Sequence, residues 1–147
     1  MVCILFTCVL SFFFAKVEIQ IEGADGWAKS LPTWRIEKHW LLDIFWGGRA
    51  MTGYHAWVFS FIALVFHFPI FLLSTFSWHM EARILACVIL FWIVEDFLWF
   101  LFNPAFGLSR LTRGNVSWHK HWFWFAPTDY WTFSLASALL FCYSAST

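Results

Sequence analysis

The sequence has few charged residues. Only 12% of its 147 residues are Asp, Glu, Lys or Arg, whereas 61% are hydrophobic. A soluble globular domain carries about 25% charged and about 45–50% apolar residues, so this chain has roughly half the charge needed to cover a surface that faces water. The composition excludes a soluble domain and predicts an integral membrane protein.

The chain also lacks a net charge and paired cysteines. Nine Lys and Arg residues balance nine Asp and Glu residues. The sequence has no run of basic residues that could bind the phosphate backbone of a nucleic acid. We therefore expect no nucleic-acid partner. The four cysteines lie in apolar runs without a Cys-x-x-Cys pair, which argues against a disulfide framework and a zinc knuckle.

Long apolar runs are what the sequence has instead. Crossing the hydrocarbon core takes about 20 apolar residues, with a range of about 17 to 25. Three runs meet this length, at residues 52–76, 82–102 and 129–145. A fourth run, at the N-terminus over about residues 1–17, is short. It lacks the basic N-terminal region and the small residue before the cleavage point that secretory signal peptides have. We interpret it as an uncleaved first helix.

These runs predict an all-α integral membrane protein with one domain, residues 1–147, and four transmembrane helices. Three would remain if the first segment were cleaved or interfacial. We expect Lys16 and Glu18, near the end of the first helix, to extend their charged ends to the membrane interface. The alternation of apolar and polar side chains over residues 17–22 is typical of a short strand.

The first loop contains a candidate amphipathic helix over about residues 33–46. Pro32 and Thr33 suit its start, and the pair Gly47-Gly48 suits its end. A helical wheel separates an apolar side from a polar side: Trp34, Ile36, Trp40, Leu41, Ile44 and Phe45 against Arg35, Lys38, His39 and Asp43. Such a helix is expected to lie in the plane of the membrane interface.

Lys and Arg are distributed unevenly between the loops. Residues 16–51 contain five of them and residues 103–128 contain three, whereas the opposite side has only Arg83. Positive residues favour the cytoplasmic side. Both long loops are therefore predicted to be cytoplasmic, with both termini outside.

Glu95 and Asp96 are the strongest functional signal, because they lie within a predicted span. A carboxyl group there costs about 2.5 to 3.5 kcal/mol on insertion scales. Neighbouring side chains point about 100° apart on a helix, and Glu95 shares its row with Trp92 and Trp99, whose indole N–H groups could donate to it. The pair suits general acid–base chemistry, proton relay or metal binding, and His55 at a similar depth completes the catalytic candidates. The alternative is two acids that only hold helices together.

The second loop supplies a candidate metal site and a candidate headgroup site. His119 and His121 project to the same side if the segment is extended, and together with Asp129 they could bind one divalent metal such as zinc, iron or manganese. The alternative is an aromatic belt with two interfacial histidines. Three basic residues could hold a lipid headgroup phosphate: Arg110, Arg113 and Lys120.

Two functions remain open at this point. The sequence favours a non-enzymatic bundle, an accessory subunit or small carrier, in which the buried acids join helices or relay protons. The alternative is an integral membrane enzyme, metal-dependent in one version, that acts on a lipid or other apolar substrate at the cytoplasmic-side interface. Expected partners are the lipid bilayer and either other membrane subunits or further copies of this chain.

Overall fold

The computed structural model describes residues 2–146 and is mostly helical. Met1, where the first helix was predicted to begin, and the side chains of Ile44 and Phe45 lie outside the described residues. Four long helices and one short helix follow each other along the chain: α1 Val2–Glu22, α2 Trp40–Phe45, α3 Gly53–Leu73, α4 Trp78–Phe102 and α5 Thr128–Ala145. The helical class predicted from the sequence is confirmed.

Three helices are long and apolar enough to cross a membrane, and they are α1, α3 and α4. Helix α4 begins four residues earlier than predicted because the side chain of Ser77 accepts a hydrogen bond from the Met80 N–H at 3.1 Å and caps the first turn. The fourth predicted span forms α5, which has 18 residues and an acid, Asp129, in its first turn. That α5 crosses the membrane stays a prediction.

Helix α1 is longer than predicted and continues to Glu22. The alternating segment 17–22 is helical, so the expected strand is wrong. Glu18 and Glu22 lie four residues apart on one helix face, and both are buried, each with 6% exposure. Glu18 therefore does not reach the interface as expected, whereas Lys16 is exposed and its Nζ lies 5.0 Å from the centre of the Phe102 ring.

The first loop is mostly extended rather than helical. Strand β1, Arg35–Ile36, pairs antiparallel with β2, Met51–Thr52, and the helix covers only Trp40–Phe45. The predicted helix 33–46 is thus much shorter in the structure. The start of the loop is held by a hydrogen bond to a distant residue and not by a helical hydrogen bond. The Thr33 hydroxyl oxygen accepts from the Tyr54 N–H at 3.1 Å. Its position in the membrane interface stays a prediction.

Helix α4 is the centre of the bundle, with α1 and α5 packed along it and α3 in looser contact. Two buried serines join these helices through backbone carbonyl groups. Ser11 on α1 donates to the Phe91 carbonyl oxygen at 3.1 Å, and Ser137 on α5 donates to that of Ala86 at 2.9 Å. Small side chains at these crossings allow close approach, which is how helices associate in lipid.

Both long connections lie at the same end of the bundle. The Asn103 amide donates to the carbonyl oxygen of Gly23 at 2.8 Å, and Gly26 packs against Trp118. The second connection contains a 3₁₀ turn at Leu108–Arg110 and a hairpin of β3, Trp122–Phe123, with β4, Ala126–Pro127. The two loops thereby form one layer over the ends of the helices, as the predicted order of spans requires.

Candidate active site

A cavity of about 180 Å³ lies where the two loops meet the helices. Helices α1, α3, α4 and α5 and both loops contribute to its walls. Its polar side chains are Glu18, Glu22, Arg49, His55, Glu95, Asp96, Asp129 and Tyr130. The remaining walls are aromatic or aliphatic and include Trp46, Trp92, Trp99, Val88, Ile89 and Phe133.

Asp96 is held by two hydrogen bonds to one carboxylate oxygen. Its Oδ2 accepts from the Tyr130 hydroxyl at 2.5 Å and from His119 Nε2 at 3.2 Å. Arg49 forms an ion pair with Asp129, and its Nη2 donates to His119 Nδ1 at 2.5 Å. Because a guanidinium can only donate, His119 Nδ1 is the acceptor and Nε2 carries the proton that is shared with Asp96. These five residues, the Asp96 network, join α4, α5 and both loops.

Glu95 is different, although it is the next residue. Its side chain is 4% exposed, and its Oε1 has no hydrogen-bond partner. The carboxyl group lies against that of Glu18, which itself accepts from the Tyr54 hydroxyl at 3.1 Å. The expectation that Trp92 and Trp99 donate to Glu95 is wrong, because neither indole N–H has a partner.

Buried polar atoms without a partner are concentrated in this cavity. In the part of the chain that the structure describes, five such side-chain atoms occur, namely Trp46 Nε1, Arg49 Nε, Trp92 Nε1, Glu95 Oε1 and Trp99 Nε1. All five belong to residues that line the cavity. Leaving a buried polar group unpaired costs about 1–3 kcal/mol, so their common location makes this cavity the candidate site for a bound molecule.

A second buried group consists of Glu18, Glu22 and His55. Their nearest oxygen and nitrogen atoms all lie within 4.8 Å of one another. His55 Nε2 is 3.9 Å from Glu22 Oε1, and the other ring nitrogen, Nδ1, contacts the Thr52 hydroxyl at 2.7 Å. Helices α1 and α3 thus bring three potential metal ligands to one wall of the cavity.

The three predicted catalytic residues all line this one cavity. Glu95 and Asp96 come from α4, and His55 comes from the first turn of α3. The sequence placed them at a similar depth, and the fold brings them to a common space. Their part in catalysis stays a prediction.

The structure brings two of the three predicted metal ligands together, since His119 Nδ1 lies 3.9 Å from Asp129 Oδ2. His119 is buried and both its ring nitrogens have side-chain partners, whereas His121 is exposed. Arg49 contacts both His119 and Asp129, a contact that no pattern within the second loop could indicate. Metal binding by His119, His121 and Asp129 stays a prediction.

The predicted headgroup residues lie outside the cavity. Arg110, Arg113 and Lys120 are exposed, and the Arg110 guanidinium donates to the Ala105 carbonyl oxygen at 2.7 Å. They belong to the surface of the second connection. A role in holding phosphate stays a prediction.

The sequence contains a signal for two residues that were missed, Glu18 and Glu22. They continue a row of small and polar residues on α1, Thr7, Ser11 and Ala15, and the successive spacings are four, four, three and four. All five are buried. This row has helical spacing and extends past the apolar run, so it indicates a buried helix face that reaches Glu22.

Comparison with known proteins adds no assignment. The chain matches no protein-family model, no curated protein and no solved structure. The chemistry of the cavity is therefore argued from its own geometry.

Proposed function

We propose that the protein is an integral membrane enzyme that binds a small amphipathic substrate in this cavity and uses Glu95 as a general acid or base. One observation carries the proposal: the buried polar atoms that lack partners in the described chain all belong to the cavity walls. Buried polar groups that serve only the fold are normally hydrogen-bonded, as Asp96 is.

The cavity walls define the class of substrate. Three indole N–H groups and the Arg49 Nε–H are free to donate, so the polar end of the substrate should carry oxygen acceptors. Val88, Ile89 and Phe133 supply apolar wall, which suits a hydrocarbon portion. An apolar cavity of about 150 Å³ holds benzene, so this one fits the polar end of a lipid-like molecule with a few carbon atoms.

Glu95 is the residue that we assign to proton transfer. It is buried and its Oε1 is free to contact a substrate. Asp96 and His55 position the site and do not transfer the proton, since each is held by a neighbouring side chain. A positioned acid or base contributes about 10²–10⁴-fold to a reaction rate.

The test is the substitution Glu95→Gln, which keeps the size of the side chain and removes its acid–base function. Membranes of cells that produce the wild-type chain should differ in lipid and small-molecule composition from those that produce the variant. Turnover of the compound so identified should fall by about 10²–10⁴-fold. Glu37→Gln, at an exposed loop position, is the matched control and should behave as wild type. Identical compositions with wild type, Glu95→Gln and no protein would contradict an enzyme.

A small carrier or accessory subunit is the second candidate. The Asp96 network favours it, because that network holds four elements together and uses Asp96 Oδ2 as a structural acceptor. Large apolar side chains on α3, such as Trp57 with 76% exposure, fit contact with the bilayer, with another subunit or with a second copy. Ligand retention without any change in membrane composition would favour this candidate.

The distribution of basic residues supports a cytoplasmic location for both loops. The cavity lies beside these loops, so the substrate would enter from the cytoplasmic side of the membrane. An amphipathic molecule at that interface could place its polar end against Glu95 and leave its apolar portion among the helices.

A further inference from the structure

We propose that Glu18, Glu22 and His55 bind one divalent cation at the wall of the cavity. These are different residues from the His119, His121 and Asp129 set that the sequence suggested. The inference deepens the proposed function, on which it rests for the use of the cavity. It can be tested separately, because metal binding is measured without any substrate.

The spacing of the three side chains fits a shared ion. Bonds from zinc to nitrogen or oxygen are about 2.0–2.2 Å long, so two ligands of one tetrahedral ion lie about 3.4 Å apart. His55 Nε2 and Glu22 Oε1 are 3.9 Å apart, and the whole group lies within 4.8 Å. Side-chain shifts of about 1 Å would bring all three to an ion.

The orientation of His55 is that of a metal ligand. Its Nδ1 contacts the Thr52 hydroxyl at 2.7 Å, while Nε2 points to Glu22. A metal-binding histidine normally donates its other ring N–H to an oxygen, which fixes both the tautomer and the direction of the ring. With the proton on Nδ1, the Nε2 lone pair is available to a cation.

The acidity of the group also suits a cation as its ligand. Glu18 and Glu22 are both buried, and among the described residues neither carboxylate forms an ion pair with Lys or Arg. The nearby Arg49 is engaged with Asp129. Buried charges are normally paired or bound to metals, and a divalent cation would balance two carboxylates.

Glu95 is an independent sign that this wall receives a ligand. It is 4% exposed, lies against Glu18, and keeps an unpartnered Oε1 on the same cavity. Three protein ligands with one position open to a cavity are typical of catalytic zinc sites. Glu95 would lie beside that open position. One imidazole with two carboxylates suits Zn²⁺ or Mn²⁺.

The experiment measures metal binding by the full chain in detergent. Protein stripped with a chelator is dialysed against Zn²⁺ or Mn²⁺, and the bound metal is counted by elemental mass spectrometry. Wild type should bind one ion per chain, and Glu22→Gln and His55→Asn should each weaken binding at least tenfold. The matched controls Glu37→Gln and His79→Asn should bind as wild type, since both residues are exposed. Absence of bound metal in wild type, or equal binding by all variants, overturns the proposal.

A measurement on wild type alone avoids any dependence on the folding of the variants. The X-ray absorption spectrum of the zinc-loaded protein should show oxygen and nitrogen ligands with one imidazole and no sulfur. A spectrum with sulfur or with two imidazoles overturns the assignment to Glu18, Glu22 and His55. If metal does not bind but Glu95→Gln still changes membrane composition, this inference fails while the proposed function stands.

Discussion

Two adjacent acids on α4, Glu95 and Asp96, have different surroundings. The sequence shows that Glu95 and Asp96 lie within an apolar span and point in different directions. It does not show that Asp96 meets Tyr130 and His119, because those residues come from other elements. In the structure, Asp96 Oδ2 accepts two hydrogen bonds, whereas Glu95 lies against Glu18 and its Oε1 has no partner.

Removing the Asp96 carboxylate should destabilise the fold. In Asp96→Ala the half-buried Tyr130 hydroxyl and the buried His119 N–H lose their acceptor, and leaving two such donors unpaired costs about 2–6 kcal/mol. Asp96→Asn should cost less, since its amide oxygen can still accept. Thermal unfolding in detergent measures both, with the exposed Asp25→Ala as the control. Unfolding of Asp96→Ala at the wild-type temperature would show that the network does not stabilise the bundle.

At the level of elements, hydropathy predicts the long helices and fails in the loops. Helices α3 and α4 lie within a few residues of the predicted spans, because a long apolar run is a local property of the sequence. Residues 17–22 fit both a two-residue and a helical period, and burial of Glu18 and Glu22 against other elements decides for the helix. The loops are held by bonds between distant residues, such as Asn103 with Gly23, which no local pattern contains.

The contact between the two loops can be tested at a glycine. Gly26 has φ +65°, and a Cβ added there would lie 2.6 Å from the Trp118 ring. Gly23 has a similar φ of +63° but open space around it, so Gly23→Ala is a matched control for the backbone strain alone. We expect Gly26→Ala to lower the free energy of unfolding by about 1–3 kcal/mol more than Gly23→Ala does. Equal losses in chemical denaturation would mean that the loops do not depend on this contact.

At the level of the whole molecule, most of the few acidic residues lie in one place. Five of the nine acidic residues line one cavity: Glu18, Glu22, Glu95, Asp96 and Asp129. Composition alone indicates a membrane protein, and the position of Glu95 and Asp96 indicates where to search. The convergence of four helices and two loops on this cavity is a tertiary property, so the sequence indicated only part of the site.

The most direct test of the cavity is whether it holds a molecule through its unpaired groups. Protein extracted in mild detergent is examined by native mass spectrometry for a retained small amphipathic compound. Wild type should retain it, whereas Trp92→Phe and Glu95→Leu, which each remove one free polar group, should lower its occupancy at least severalfold. Trp78→Phe, at a position with 70% exposure, should retain it as wild type does. Wild type without a retained compound, or equal retention by all four proteins, would contradict a ligand site at these residues.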